Sequence, residues 1–317
     1  MFRRNPSGFS SKISFKHIDL KYKSLRDEIW EFLIFNCLKR ICNRHPVKNR
    51  MAHPELSGII VYPVKSASEI SLKDSYLEQR GLAHDRRWMV VDDSAQFITQ
   101  RTSPEMALLK TKIVDSTIRL NAPGKAELQL PLFQTEGIPQ MVEIWEDQCE
   151  ALAADKQAES WISDYLGKRC NFVFMPDHSN RQVDQDYAIG RDQVAFSDGF
   201  PLLLISESSL FDLNRRVPEE ITMKRFRPNL VVKNTDPYQE DNWEAIRIGD
   251  CELQIVKPCS RCVLTTVDPE TGEFSGMEPL KTLAKYRKSN GKVVFGQNLI
   301  PRSSGKLEVG MKVEILK

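Results

Sequence analysis

From Met51 onward the chain is a succession of short runs rich in β-branched and aromatic residues, each ended by turn residues after at most about ten positions. Runs of that length build sheets. Their frequency favours a predominantly β, barrel-like α+β architecture with few short helices over a doubly wound parallel sheet. Residues 56–64 are expected as a strand stopped at Pro63. Residues 87–91 and 96–100 flank Asp92-Asp93-Ser94 as hairpin arms, and 117–120 and 127–130 flank Asn121-Ala122-Pro123-Gly124 as a second pair. Further strands are expected over 141–145, 171–175, 202–205, 229–233, 245–248 and 252–256. A closing hairpin is expected over 306–316 around Gly310.

Three helices interrupt this pattern. Residues 155–166 carry Ala158, Trp161, Ile162 and Tyr165 at helical spacing, with Gly167 as a stop. Ser206 is a plausible N-cap for a helix running to Arg216, and 278–287 is a short third helix. Between them lie residues 176–192, seventeen mostly polar positions. A loop of that length inside a compact domain is usually functional or a linker. The expected organisation is therefore a basic extension over 1–52, a first β domain over 53–175 and a second over 176–317.

The formal net charge of +2 conceals an uneven distribution. Residues 1–50 hold 12 Lys+Arg against 4 Asp+Glu, and residues 51–317 hold 33 against 39. Ile29, Trp30, Leu33, Ile34, Cys37, Leu38 and Ile41 mark one helical face in the basic segment, interrupted by Glu31 and Lys39. Too polar to span a bilayer, this segment over 28–44 suits peripheral contact with an anionic membrane, a targeting role, or an accessory helix. No secretory signal pattern is present. A near-neutral chain with an acidic body gives no reason to expect a nucleic-acid partner.

Seven cysteines with irregular spacing argue for a reducing compartment rather than a disulfide framework. Lys257-Pro258-Cys259-Ser260-Arg261-Cys262 is the sharp motif. Structural zinc requires four ligands, and no second C-x-x-C or nearby histidine supplies them. A redox dithiol requires its first cysteine at a helix N-terminus, whereas the β-branched run Val263–Asp268 is poor helix sequence. A lone thiolate binding a soft metal held mainly by a cofactor is the third chemistry, with Lys257 and Arg261 favouring the thiolate by charge. A buried structural pair is the fourth possibility. Cations also gather in Lys224-Arg225-Phe226-Arg227 and His84-Asp85-Arg86-Arg87, and Lys65 follows Tyr62-Pro63-Val64, all at strand ends. Such placement suits a phosphorylated or anionic ligand. The glycine-rich nucleotide triphosphate loop is absent.

These residues resemble a known family. Cys259-Ser260-Arg261-Cys262-Val263-Leu264-Thr265-Thr266-Val267-Asp268-Pro269, followed by Glu270-Thr271-Gly272, is similar to the signature of MOSC-domain proteins. Phe196-Ser197-Asp198-Gly199-Phe200-Pro201, Arg225-Phe226-Arg227-Pro228-Asn229, Glu278-Pro279-Leu280 and Phe295-Gly296-Gln297 agree with it. Tyr62-Pro63-Val64-Lys65-Ser66 and Asp85-Arg86-Arg87-Trp88 resemble the β-barrel domain preceding MOSC in the mitochondrial amidoxime reducing component and its bacterial relatives. The resemblance implies a MOSC barrel preceded by a smaller β-barrel-like domain and a pterin-based molybdenum cofactor (Mo-molybdopterin). It implies Cys262 as the metal ligand and catalytic thiolate, and Lys65, Ser66, Arg86, Arg227, Asn229, Ser260 and Arg261 as cofactor-binding residues. Asp198 and Asp268 are candidates for polar support. The implied reaction is two-electron reduction of small N-hydroxylated substrates, amidoximes and hydroxylamines, to amines. The alternative is a molybdopterin-binding or carrier module without turnover. No fused ferredoxin spacing is present, so electrons are expected from a separate donor of flavin, ferredoxin or cytochrome b5 type. A bacterial cytoplasmic location is expected, with mitochondrial membrane association as the alternative.

Overall fold

The computed structural model describes residues 53–317, so the expected basic helix over 28–44 lies outside the described residues. The largest sheet has nine strands. Its order is Val313–Ile315, Ala245–Ile248, Cys251–Ser260, Lys292–Pro301, Leu202–Ser206, Leu230–Lys233, Glu55–Val61 and Ile70–Leu72, with Lys288–Ser289 paired to Lys292–Pro301. Leu202–Ser206 and Leu230–Lys233 run parallel, connected through the helix Glu207–Asn214. The other neighbours are antiparallel. An antiparallel bridge joins Glu55 to Lys312. Leu56 N–H donates to the Met311 carbonyl at 2.9 Å, and Val313 N–H donates to the Pro54 carbonyl at 2.7 Å. These contacts tie the strand Glu55–Val61 back to the start of Val313–Ile315, so the sheet closes on itself and leaves few free edges.

Period-two alternation explains which residues fill it. Leu202 and Leu204, Leu230 and Val232, Ile246 and Ile248, and Cys251 and Leu253 all enter one buried cluster with Leu56, Leu299 and Val313. The intervening Leu203 and Ile205, with Phe295, pack outward against Leu213 and Leu283 of two covering helices, Glu207–Asn214 and Leu280–Tyr286. Ser206 caps the first of these by accepting from Ser209 N–H at 3.1 Å. That helix ends at Asn214, two residues before the expected end.

A four-stranded sheet, ordered Trp88–Asp92, Cys170–Phe174, Asp147–Ala153, Pro139–Ile144, and a three-stranded one, Lys110–Val114, Thr117–Asn121, Leu128–Pro131, form the other main body. Both contribute to a core around Trp88, Met106, Leu120, Phe172 and Phe174. The helix Lys156–Leu166 covers it with Ala158, Trp161 and Ile162. Its ends follow the expected chemistry: Asp155 accepts from Ala158 N–H at 2.8 Å, and Gly167 takes φ 63°.

Several expectations are corrected. Residues 306–316 are not a hairpin. Gly305–Glu308 pairs with Asp74–Glu78, and Val313–Ile315 pairs with Ala245–Ile248, in different sheets. Gly310, at φ 98°, turns the chain, but Leu307 and Val313 are both drawn into the barrel core rather than toward each other. The arm over 96–100 contracts to two residues, with Phe97 bridged to Val91 and Gln96 to Glu143. The run after Cys262 is a single 3-10 turn, Val263–Thr266. Lys292–Pro301, a ten-residue strand near the middle of the large sheet, was not among the expected strands. Residues 176–192 carry no helix or named strand. The strands Glu55–Val61 and Ile70–Leu72 nevertheless join the sheet built mainly from residues after 200, and residues 53–317 form one compact unit.

Candidate active site

The strand Cys251–Ser260 meets Lys292–Pro301 with register shifts between Ile255 and Lys257 and between Pro258 and Ser260. Such bulges bend a strand and re-aim its side chains. Here they swing Cys259 to Cys262 toward a cleft of 470 Å³ lined from both halves of the chain. Every residue implied by the resemblance lines it: Lys65, Ser66, Arg86, Arg227, Asn229, Ser260, Arg261 and Cys262. A larger depression of 760 Å³ lies beside the strand Cys170–Phe174 and shares none of these residues. The smaller cleft gathers the thiol and the cations.

Cys262 is exposed, and its thiol accepts a hydrogen bond from Arg101 Nε at 3.3 Å. Arg101 also pairs with Asp198, whose other oxygen receives Lys65 Nζ at 2.6 Å. Lys65 is 5% exposed and donates to the Phe196 carbonyl at 2.7 Å. Burial pushes its pKa down to about 8, with the Asp198 charge opposing that fall. Burial acts to raise the Asp198 carboxyl, but the Lys65 and Arg101 charges overcome it and hold the group well below the usual carboxylate range. The cleft therefore contains a connected run of polar contacts, Lys65–Asp198–Arg101, that ends on the Cys262 thiol.

Elsewhere in the lining, Arg86 and Arg227 flank the buried ring of Tyr62, their guanidinium carbons 4.4 and 4.1 Å from its centroid. Tyr62 donates its hydroxyl to the Pro228 carbonyl at 3.1 Å. Arg227 Nη1 donates to the Ala67 carbonyl at 2.8 Å. Burial lowers the Arg227 pKa to about 10, which leaves it charged at neutral pH. Arg261 is held by the Phe295 carbonyl at 2.9 Å and the Phe226 carbonyl at 3.1 Å. Among the described residues, Nη2 of Arg227 and Nη2 of Arg261 are buried without a hydrogen-bond partner. A buried guanidinium donor left unpaired costs about 1–3 kcal/mol or more, which a bound anion in the cleft would recover. Ser66, Arg86 and Arg227 have φ values of 69°, 49° and 57°, a left-handed backbone that non-glycine residues adopt at a cost. The cost falls on three residues of one site.

Asn229 behaves differently from its neighbours. Its Oδ1 accepts from Arg86 Nη1 at 3.2 Å and from Leu203 N–H at 3.3 Å, and its Nδ2 donates to the Ile60 carbonyl at 3.1 Å. With both acceptor positions and one donor used, this amide positions Arg86 and joins three strands. Asp268 is outside the cleft lining. It pairs with Arg225 at 3.0 Å and caps the turn at Glu270 N–H. Arg87 binds the Met175 carbonyl and Asp177, away from the cleft. Lys257 lines the cleft but lies against Tyr187 and Phe200. The cation at the Cys262 thiol is thus Arg101, not Lys257 or Arg261. Arg101 and Trp145 also line the cleft, although no motif in the sequence marks them. The only available signal was one more cation after a strand, since their approach to Cys262 depends on tertiary folding.

Cys259 lies within the strand Cys251–Ser260 and packs against the cluster around Phe226 and Phe295. Burial pushes its thiol pKa up. It is not at a helix N-terminus, so the geometry of a redox dithiol is not met. Among the described residues, no three His, Cys, Asp or Glu side chains gather to hold a metal. Among the same residues, no helix is long and apolar enough to cross a membrane.

Comparison with known proteins agrees with this layout. The MOSC N-terminal beta barrel domain matches residues 53–169, and the MOSC domain matches residues 191–314. Mitochondrial amidoxime-reducing component 1 of Mus musculus is 34% identical over 280 residues, covering 81% of this chain and 80% of that protein. Its Homo sapiens counterpart is 34% identical over 273 residues, with 81% of each covered. Molybdenum cofactor sulfurase of Oryza sativa subsp. japonica is 31% identical over 262 residues, covering 76% of this chain and 32% of that protein. The chain belongs to the MOSC-domain family, as a relative of the mitochondrial amidoxime-reducing components that carries both the N-terminal barrel and the MOSC domain.

Proposed function

We propose that this chain binds a pterin-based molybdenum cofactor through the 470 Å³ cleft and reduces N-hydroxylated compounds with release of water, hydroxylamines to amines and amidoximes to amidines. The observation that carries the reading is one exposed thiol, Cys262, beside two buried guanidinium nitrogens that lack partners. That donor set fits a metal chelate with a phosphorylated, anionic body. Cys262 would hold the metal. Arg227 and Arg261, with Lys65, Ser66, Arg86 and Ser260, would hold the pterin and its phosphate, and Asn229 would act by fixing Arg86. When bound, the cofactor supplies two-electron redox chemistry at a metal. The protein's own part is to present the thiolate, to place Arg101 against it, and to keep Asp198 ionised between Lys65 and Arg101.

As domain organisation we keep the division into 53–175 and 176–317, with the first two strands crossing into the second sheet. The electron donor is a separate protein of flavin, ferredoxin or cytochrome b5 type. The mitochondrial names of the relatives support a mitochondrial location over the bacterial cytoplasm.

Metal and pterin analysis after expression in a cofactor-competent host should return about one molybdenum per chain. A viologen-driven assay should then show reduction of benzamidoxime. Cys262→Ala should abolish molybdenum retention and turnover, while Cys259→Ala should keep most of both. The reverse pattern would overturn the ligand assignment. A fully loaded protein inert toward every N-hydroxylated compound would point to a carrier.

A further inference from the structure

The strands Pro139–Ile144 and Asp147–Ala153 pair with Ile144 opposite Asp147, so Trp145 and Glu146 alone form the turn. In a two-residue hairpin turn the first position commonly requires positive φ and is usually glycine or asparagine. Trp145 holds it at φ 59°. A bulky residue there is a genuine backbone outlier. The edge-on ring of Phe97, 5.1 Å away at an interplanar angle of 61°, fixes the indole in place. The Arg101 guanidinium lies over the same ring at 4.9 Å. That guanidinium is the one bonded to the Cys262 thiol. The indole thus stands one side chain away from the thiol, lines the same cleft, and is still 48% exposed. A large aromatic surface in a strained turn, braced on two sides yet left open, contributes little to packing. Local rules are broken most often where a site requires it.

We propose that Trp145 determines specificity, forming an aromatic wall on which flat, conjugated N-hydroxylated substrates such as arylamidoximes stack beside the reacting centre. The inference rests on the reading given under Proposed function and names the substrate class of that same cleft. Offset stacking on indole adds to the ordinary burial of the ligand. A saturated, non-planar or very small substrate gains none of it.

The test compares kcat/KM for benzamidoxime and acetamidoxime in the loaded enzyme. Trp145→Ala should lower the benzamidoxime-to-acetamidoxime ratio about tenfold, with the loss in KM rather than kcat. Trp145→Phe should restore most of the ratio. A second readout needs no turnover: 4-nitrobenzamidine should quench part of the tryptophan emission of the wild-type protein, and Trp145→Phe should remove that part. A ratio unchanged by Trp145→Ala, or equal quenching in the wild type and Trp145→Phe, overturns the proposal. If the wild type reduces neither amidoxime, the underlying reading fails, and the quenching measurement alone decides whether the wall exists.

Discussion

Gly296 sits where the strand Lys292–Pro301 crosses Leu202–Ser206, next to the Leu204–Gln297 pair. Its φ is 78°, and a Cβ added there would lie 2.6 Å from Ile205 Cγ1 and 2.8 Å from the Leu204 carbonyl oxygen. Replacing it with alanine incurs two separate costs. Left-handed backbone in an L-residue costs about 1–2 kcal/mol. Forcing extra volume into a packed layer costs about 1–3 kcal/mol more. Gly296→Ala is therefore expected to lose about 2–5 kcal/mol of folding stability. Gly124 separates the two effects: it has φ 72° but nothing within 4 Å of its added Cβ, so Gly124→Ala should lose only the first. In parallel thermal melts, each kcal/mol moves the midpoint by about 2–4 °C in a domain of this size. The Gly296 variant should fall well below the Gly124 variant. Equal shifts would show that backbone handedness alone demands glycine at 296, and the close approach would be refuted. The site should feel the change as well, because the adjacent Phe295 carbonyl holds Arg261 Nε.

Brief iodoacetamide treatment at neutral pH should label Cys262 first among the five cysteines of the described residues, since Cys149, Cys170 and Cys251 are buried and burial raises the Cys259 thiol; peptide mass mapping reads this, and faster labelling of Cys259 would contradict the assigned geometry. The native Asp198 pKa is depressed, so its stabilising contribution is fully present above the unfolded value near 3.8 and is lost as pH falls below it. The stability difference between wild type and Asp198→Asn in urea should therefore shrink on acidification through that range, and a difference independent of pH would refute it. Tyr62→Phe leaves the Pro228 carbonyl without its donor and should lower the urea-derived stability by about 1–3 kcal/mol; a neutral effect would mean that another donor replaces the phenol.

The helix Lys156–Leu166 was legible because its signals are local: a capping aspartate, an amphipathic face and a glycine stop all lie within thirteen residues. The strand Lys292–Pro301 was not, because it is buried on both faces and shows no alternation, and Gly296 and Asn298 interrupt its apolar run. The error at 306–316 has a related cause. Two short strands around a glycine resemble a hairpin unless the partners offered by Asp74–Glu78 and Ala245–Ile248 are known. At the site, cations at strand ends were readable as a group. What could not be read was their division of labour: Arg86 enters the cleft while Arg87 braces a loop, and Arg227 enters while Arg225 pairs with Asp268. Neighbours in a chain turn opposite ways, and only packing decides which one meets the ligand. Trp145 was hidden because its turn breaks the rule that would have announced it.

The bridge between Glu55 and Lys312 also governs when the molecule can fold. Ribosomes make residues 55–61 long before residues 312–315, yet the barrel needs both segments side by side. Contacts spanning so much of the chain pay their loop-closure entropy before any pairing returns it, which slows folding. Until residues 312–315 have emerged, the strand Leu230–Lys233 can be covered on one flank by Glu55–Val61, but the ring stays open at the other end. A fragment beginning near residue 191 lacks the first strand altogether and leaves Leu230–Lys233 as a bare, apolar edge prone to pairing with other chains. The barrel around this cleft consequently cannot close before residues 312–315 are available to pair.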